Sequence, residues 1–399
     1  MNQHTVSLSE LEPDTTYYYR VGNAKYGWWS KTGTITTADG GKNVTFFHMT
    51  DPQSQNERQY NRAWKSVLES AFTAYPDAAF VLTTGDLVDH GDNNKQWQYM
   101  FDTASDTLMN TYLMPVTGNH EGKGTNATAN RFVLPNMPEQ NTESGVYYSF
   151  DYNNVHIAVL NTEDIGDDDA LSKEQIEWLK KDMNASDAQW KFVAMHKAIY
   201  SHGSHYDDDD VCAMRTQLSA LMPQLGIDMV FQGHDHVYMR TGSIADNTKL
   251  PTELTYLVKD GKTYRTQVQP SGTSYVITGC AGVKSYIQND VTKTDKYFPR
   301  AEKIYSVDAP MFAAVQIEDG VLYFDAYTTK DGETTAIDRM AIQKDTTQGE
   351  VDPNPPEEIE ENLEEEDVMA TLKTIFNHLI KFFKVLLNIV RIYILDMKP

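Results

Sequence analysis

Ile227-Asp228-Met229-Val230-Phe231-Gln232-Gly233-His234-Asp235-His236 runs from a short apolar segment straight into two histidines flanking an aspartate. Four earlier junctions have the same form. Val44-Thr45-Phe46-Phe47-His48-Met49 leads into Thr50-Asp51-Pro52-Gln53, and Ala79-Phe80-Val81-Leu82-Thr83 leads into Gly85-Asp86. Tyr112-Leu113-Met114-Pro115-Val116 leads into Gly118-Asn119-His120-Glu121, and Trp190-Lys191-Phe192-Val193-Ala194 into Met195-His196. Short apolar runs bounded by turn residues read as buried strands. Oxygen and imidazole donors placed where such strands stop belong at strand C-terminal ends, where α/β folds hold their ligands.

Between these junctions the chain alternates strand and helix. A helical stretch spans Glu57 to Ala74, and Val155-His156-Ile157-Ala158-Val159-Leu160 is a further strand. Ser172 and Gln175 form a capping box opening a helix that runs towards Met183. Ser274 to Thr278, Ala313 to Ile317 and Leu322 to Tyr327 read as later strands. Such alternation predicts a layered α/β fold, with the catalytic domain over residues 43–345. Residues 5–38 are different: Thr16 to Val21, Trp29-Ser30 and Thr34 to Thr37 read as strands punctuated by glycine. The stretch from Leu11 to Gly22 resembles the later strands of a fibronectin type III-like domain. A whole sandwich needs about 100 residues, so residues 1–40 are expected to be a partial segment, cut at the front. No signal-peptide series is visible at Met1, and a missing front end is where one would lie.

Residues 346–367 are acidic and Pro-bearing, an extended linker. Over 368–396, Thr374, Asn377, Lys381, Lys384, Asn388 and Arg391 draw a narrow polar stripe on an otherwise apolar helix. Two uses fit it: lying in a membrane surface, or docking and self-association. The net charge of -23 argues against a nucleic-acid-binding surface. Cys212 and Cys280 lack zinc-finger spacing and read as core residues.

Phosphate ester hydrolysis needs a nucleophile, neutralisation of the phosphoryl oxygens and help for the leaving group. Two metal ions about 3.5–4 Å apart supply the first two. A ligand shared between them must be a carboxylate, and Asp86, in a Gly-Asp turn after a buried strand, suits that place. His48 and His156, inside apolar strands, read as packed or surface residues. His202 reads as a solvated loop histidine, and Asp207 to Asp210 as a solvated helix start rather than a calcium loop.

Taken in order, the five motifs resemble those of calcineurin-like metallophosphoesterases, in the bacterial purple acid phosphatase-like branch that carries a fibronectin-like front domain. The likeness covers residues 5–330. It implies two mixed β-sheets flanked by helices and a centre of two metal ions drawn from iron, zinc or manganese. By this resemblance Asp51 and His236 hold the first metal, Asn119, His196 and His234 hold the second, and Asp86 bridges them. His120 becomes the proton donor or stabiliser beside the phosphate, with Glu121 orienting its ring. His205, in a His205-Tyr206 pair preceding Met214-Arg215, becomes a second candidate for protonating the leaving group.

Two positions depart from the family pattern. Purple members carry a tyrosine where this chain has Asp89, so an obligate ferric ion is not implied. Many relatives have a histidine where this chain has Gln53, a weaker ligand through its carbonyl. The implied activity is phosphomonoester hydrolysis of the acid phosphatase kind, by a hydroxide on the dinuclear centre, acting on small phosphoesters. A phosphodiesterase or nucleotidase would use the same centre, and a non-catalytic binding module could retain the fold. The branch also implies an extracytoplasmic bacterial protein, secreted or envelope-associated.

Overall fold

Phe46 stacks on Phe80 at 4.7 Å and meets Phe231 edge-on at 5.8 Å, and these rings join two β-sheets face to face. The structure is a computed structural model describing residues 4–122, 124–285 and 300–344. Seven of the eight strands of the first sheet run in the order Lys262–Val268, Glu333–Gln343, Val321–Lys330, Met311–Glu318, Val44–Met49, Phe80–Thr83 and Tyr112–Pro115. The last three strands are mutually parallel, and Met311–Glu318 is antiparallel to Val44–Met49. In the second the order is Ala301–Tyr305, Tyr238–Thr241, Ser274–Thr278, Met229–Gln232, Trp190–Ala194, Val155–Val159 and Tyr148–Tyr152. Its middle four strands are parallel and its outer pairings antiparallel. Both sheets are mixed, as the family likeness implies.

Successive strand residues point to opposite faces. Phe46, Leu82, Val159, Phe192 and Phe231 face the space between the sheets. Phe47, Met49 and Val81 face outward, where Trp64, Leu68 and Trp97 of the flanking helices cover them. On the far face of the second sheet, Ala158 and Val193 lie under Leu179 and Met183 of the Lys173–Ala185 helix and Met214 of the Asp209–Leu218 helix. With both faces buried, these strands read as continuous apolar runs rather than alternating ones.

Several boundaries differ from expectation. The Glu57-to-Ala74 stretch is helical throughout, but Asn61–Lys65 winds as a π-helix between Glu57–Tyr60 and Ser66–Ala74. Ser172 caps the Lys173–Ala185 helix by accepting from Gln175 N at 3.3 Å. The return half of the box is absent, because the Gln175 amide instead binds both backbone groups of Asn161. The first strand ends at Tyr19. In the front segment Thr16–Tyr19 pairs with Gly33–Thr36, and Gly22–Asn23 with Trp28–Trp29. It is tied to the first sheet's edge region by Tyr19 Oη donating to Met109 O and by the Lys31–Asp106 ion pair. Thr255–Thr263 belongs to a second compact unit. The acidic linker 346–367 and the striped helix 368–396 lie outside the described residues. Among the described residues no helix is long and apolar enough to cross a membrane.

Candidate metal centre

All five motif junctions converge where the parallel strands of the two sheets end. Asp51, Asp86, His234 and His236 share an uncommon backbone state, with φ of 52°, 51°, 75° and 53°. Left-handed backbone in non-glycine residues is strained and persists only where the surroundings over-determine it. Here it turns each side chain back over its strand end. Gly85 and Gly118 permit the close approach. A β-carbon on Gly118 would lie 2.2 Å from Asp86 Oδ1, and one on Gly85, at φ 98°, would lie 2.5 Å from His196 Nδ1.

The donors fall into two groups that share Asp86. Asp86, His196 and His234 each present a ligand atom within 4.8 Å of the others, and so do Asp51, Asp86 and His236. Asn119 Oδ1 lies 2.9 Å from His196 Nε2, and Asp86 Oδ1 lies 3.4 Å from the same nitrogen. In the other group, Asp51 Oδ1 is 3.2 Å from His236 Nε2. Gln53 Nε2 is 3.2 Å from both Asp86 Oδ2 and His236 Nε2.

Two histidines have their tautomer set from behind. His196 Nδ1 donates to Thr84 O at 2.7 Å, and His236 Nδ1 donates to Lys284 O at 2.5 Å. His196 Nε2 is thereby left to face Asn119 and Asp86 oxygens, and His236 Nε2 to face Asp51 and the Gln53 amide, positions from which each can bind a metal cation. Burial lowers the His196 pKa, but Asp86 more than reverses this and lifts it to about 9. Burial likewise opposes, and Asp51 favours, a positive charge on His236, whose pKa rises well above the usual range. Burial and the neighbouring His196 hold the His234 pKa well down, leaving a neutral imidazole. The buried Gln53 Oε1 has no hydrogen-bond partner, and Asp51 Oδ1 faces the His236 imidazole at 3.2 Å. An orphaned oxygen, pre-set imidazoles and a shared carboxylate fit a pair of cations.

The expected proton donors flank this cluster. His120 Nε2 lies 3.6 Å from Asp86 Oδ2. Its ring is oriented by Asp89 O, which accepts from Nδ1 at 2.7 Å. Glu121 therefore does not orient that ring, contrary to expectation. The Gly118-to-Gly122 turn swings its side chain beneath the Gly-Asp loop, where it accepts from the amides of Asp86, Val88 and Gly118, each at 3.0 Å. Burial and the Asp86 carboxylate push the Glu121 pKa up to about 8. His205 packs tilted against His234 with ring centroids 4.2 Å apart and planes 36° from parallel, and its Nδ1 faces Asp208 Oδ2 at 2.8 Å. His202 is buried, not solvated: its Nε2 lies against Tyr238 O, and burial lowers its pKa to about 4. His48 and His156 are packed residues.

Asp89, in the tyrosine position, forms an ion pair with Lys284. Lys284 is a residue that sequence reasoning missed, since nothing in its neighbours marks it. Asp235 was likewise passed over, although its Oδ1 accepts from His205 N at 3.0 Å and so anchors that loop.

A two-layered mixed sheet with these donors at its strand ends defines a calcineurin-like metallophosphoesterase domain. Residues 44–238 match the family described as calcineurin-like phosphoesterase, and residues 1–37 match the purple acid phosphatase N-terminal domain. Purple acid phosphatases are among its curated relatives. It is 25% identical over 310 residues to purple acid phosphatase 15 of Arabidopsis thaliana, covering 70% of this chain and 53% of that one. This chain thus spans little more than half the length of such curated relatives. A purple acid phosphatase from yellow lupin (Lupinus luteus) seeds superposes with a TM-score of 0.69 at 20% identity, covering 85% of this chain and 61% of that one. The structure of PhoD superposes with a TM-score of 0.61 at 15% identity, covering 87% and 78%. The structural likenesses establish the fold.

Proposed function

We propose that this chain is a metal-dependent phosphoric ester hydrolase acting on small phosphomonoesters, in the manner of an acid phosphatase. The observation that carries the proposal is the Asp86 carboxylate shared by two donor groups. Asp51, His236 and Gln53 would hold one ion, Asn119, His196 and His234 the other, with Asp86 between them. Turning the Gln53 amide over would aim its orphaned Oε1 at the first ion. Such a pair of ions neutralises phosphoryl charge and makes water a competent nucleophile near neutral pH.

The chain's own groups do the rest. His120, anchored at Nδ1, presents Nε2 beside Asp86 and is placed to stabilise phosphoryl charge or hold a proton for the leaving oxygen. His205, steadied by Asp208 and lying against the His234 ring, is a second group for protonating the leaving oxygen. Glu121 acts underneath, clamping the Gly-Asp and Gly-Asn turns together so that Asp86 and Asn119 keep their places.

The test is metal content measured together with hydrolysis of p-nitrophenyl phosphate and of its bis ester. About two metals per chain and a faster monoester support the proposal. Two metals with a faster diester make the protein a phosphodiesterase, and no bound metal makes it a binding module.

We also place the protein outside the cytoplasm of a bacterium, secreted or at the envelope, on the strength of the branch it resembles. Cell fractionation tests this. The polar stripe of 368–396 supports membrane-surface binding or self-association. Sedimentation of the full chain with anionic vesicles, against a chain ending at Lys344, separates the two.

A further inference from the structure

Lys197 follows His196 directly, and its ammonium is held between two carboxylates, Glu163 Oε1 at 2.7 Å and Asp210 Oδ2 at 2.8 Å. The residue is only 9% exposed. A desolvated ion cluster of this kind contributes little net stability compared with apolar packing. In some proteins such a cluster instead specifies one arrangement of the segments it joins.

Those segments all border the metal centre. Glu163 lies in the loop after the Val155–Val159 strand, and Lys197 N donates to Thr162 Oγ1 in the same loop. Glu163 also packs on Gly122, where a β-carbon would lie 2.5 Å from its Cγ. Gly122 closes the turn that carries Asn119 and His120, its amide donating to Gly118 O at 2.9 Å. Asp210 opens the Asp209–Leu218 helix, directly after the loop bearing His205 and Asp208. That loop is also gripped by Arg215, whose guanidinium donates to Ile199 O and lies over the Tyr206 ring. Lys197 thus reaches from beside His196 to Glu163 in one flanking loop and, through the same ammonium, to Asp210 at the start of the helix that follows the other.

We infer that Lys197 is a positioning residue that fixes His205 and His120 relative to the metal centre, so that leaving-group protonation depends on it while metal binding does not. This rests on the phosphomonoesterase proposal above. An alkyl leaving group needs a proton in the transition state, whereas p-nitrophenolate departs without one.

The experiment compares wild type, Lys197→Met, Lys197→Arg and Asp210→Asn in the full chain. Each variant is expected to keep the wild-type metal content. Lys197→Met should lose on the order of thirtyfold in kcat on glycerol phosphate but only about twofold on p-nitrophenyl phosphate. Lys197→Arg should recover most of the loss, and Asp210→Asn should show the same selectivity more weakly. Carbethoxylation of His205 by diethyl pyrocarbonate, followed by mass spectrometry without substrate, should change rate severalfold in Lys197→Met. Equal losses on the two esters, loss of metal, or an unchanged His205 rate would overturn the inference. A wild type that hydrolyses neither ester counts against the phosphatase proposal instead, and the His205 rate still decides the positioning role. If Lys197→Met does not fold, Asp210→Asn carries the same comparison.

Discussion

Asp86 Oδ1 lies 3.4 Å from His196 Nε2, while the other oxygen of the same carboxylate lies 3.2 Å from Gln53 Nε2. One side chain thus faces both halves of the centre. Asp86→Asn keeps the shape but removes the charge and one oxygen. It is expected to lose metal and to lower kcat/KM on the order of a thousandfold. Metal addition should raise the wild-type melting temperature, since a ligand at a hundredfold excess over Kd adds about 2.7 kcal/mol. The variant should show a clearly smaller rise; an equal rise would mean the ions bind elsewhere.

Gln53 touches both Asp86 and His236 and leaves its carbonyl oxygen without a partner. Imidazole binds zinc and iron more strongly than a neutral amide oxygen. Gln53→His should therefore tighten the weaker of the two sites on the order of tenfold. Competition with a chromophoric chelator measures this. Unchanged affinity would place Gln53 outside the ligand set.

Asp89 and Lys284 link the loops behind His120 and His236, since Asp89 O holds one ring and Lys284 O the other. Burial raises the Asp89 pKa, but Lys284 more than offsets it, and the carboxylate titrates below its usual range. Lys284→Met leaves that nearly buried carboxylate without its cation and should cost about 1–3 kcal/mol of stability. Denaturant unfolding of Lys284→Met alone and combined with Asp89→Asn checks the cause. The double variant should regain much of the loss, because it no longer buries an unpaired charge.

His156, far in sequence from any ligand motif, is clasped at Nδ1 by Asp151 at 2.7 Å and at Nε2 by Asp182 at 2.8 Å. Burial disfavours its charged form, but the two carboxylates prevail and raise its pKa. A raised folded pKa means that the contribution is complete below about pH 6.5 and fades as pH climbs through the folded value. The stability gap between wild type and His156→Gln should be widest near pH 6 and narrow towards pH 9. A gap that stays constant in urea melts across this range would remove the charged clasp from the account.

Much of this architecture could be read in one dimension because its parallel strands are buried on both faces. Phe46 and Phe47 point opposite ways yet both meet aromatic rings, so the run containing them is apolar without interruption. Strands with an exposed face were harder to see. Glu333–Gln343 begins with exposed Glu333, Thr334 and Thr335 and was missed. The Asn61–Lys65 π-turn has no marker in its residues.

The candidate ligands were legible for a related reason. Strand ends place donors within five residues of an apolar run, and that closeness survives in the linear text. Asp51, Asp86, Asn119, His196, His234 and His236 all lie at junctions found this way, and the family resemblance singled them out from neighbours such as His120 and Asp235. The supporting groups follow no such rule. Glu121 turned away from His120 to satisfy three amides, and His202 sank into the protein. Lys284 and Lys197 found carboxylates from distant loops. Local order along the chain encodes which atoms can ligate. Desolvation, hydrogen-bond satisfaction and charge pairing are settled only between segments brought together by folding, and they determine how those ligands are held.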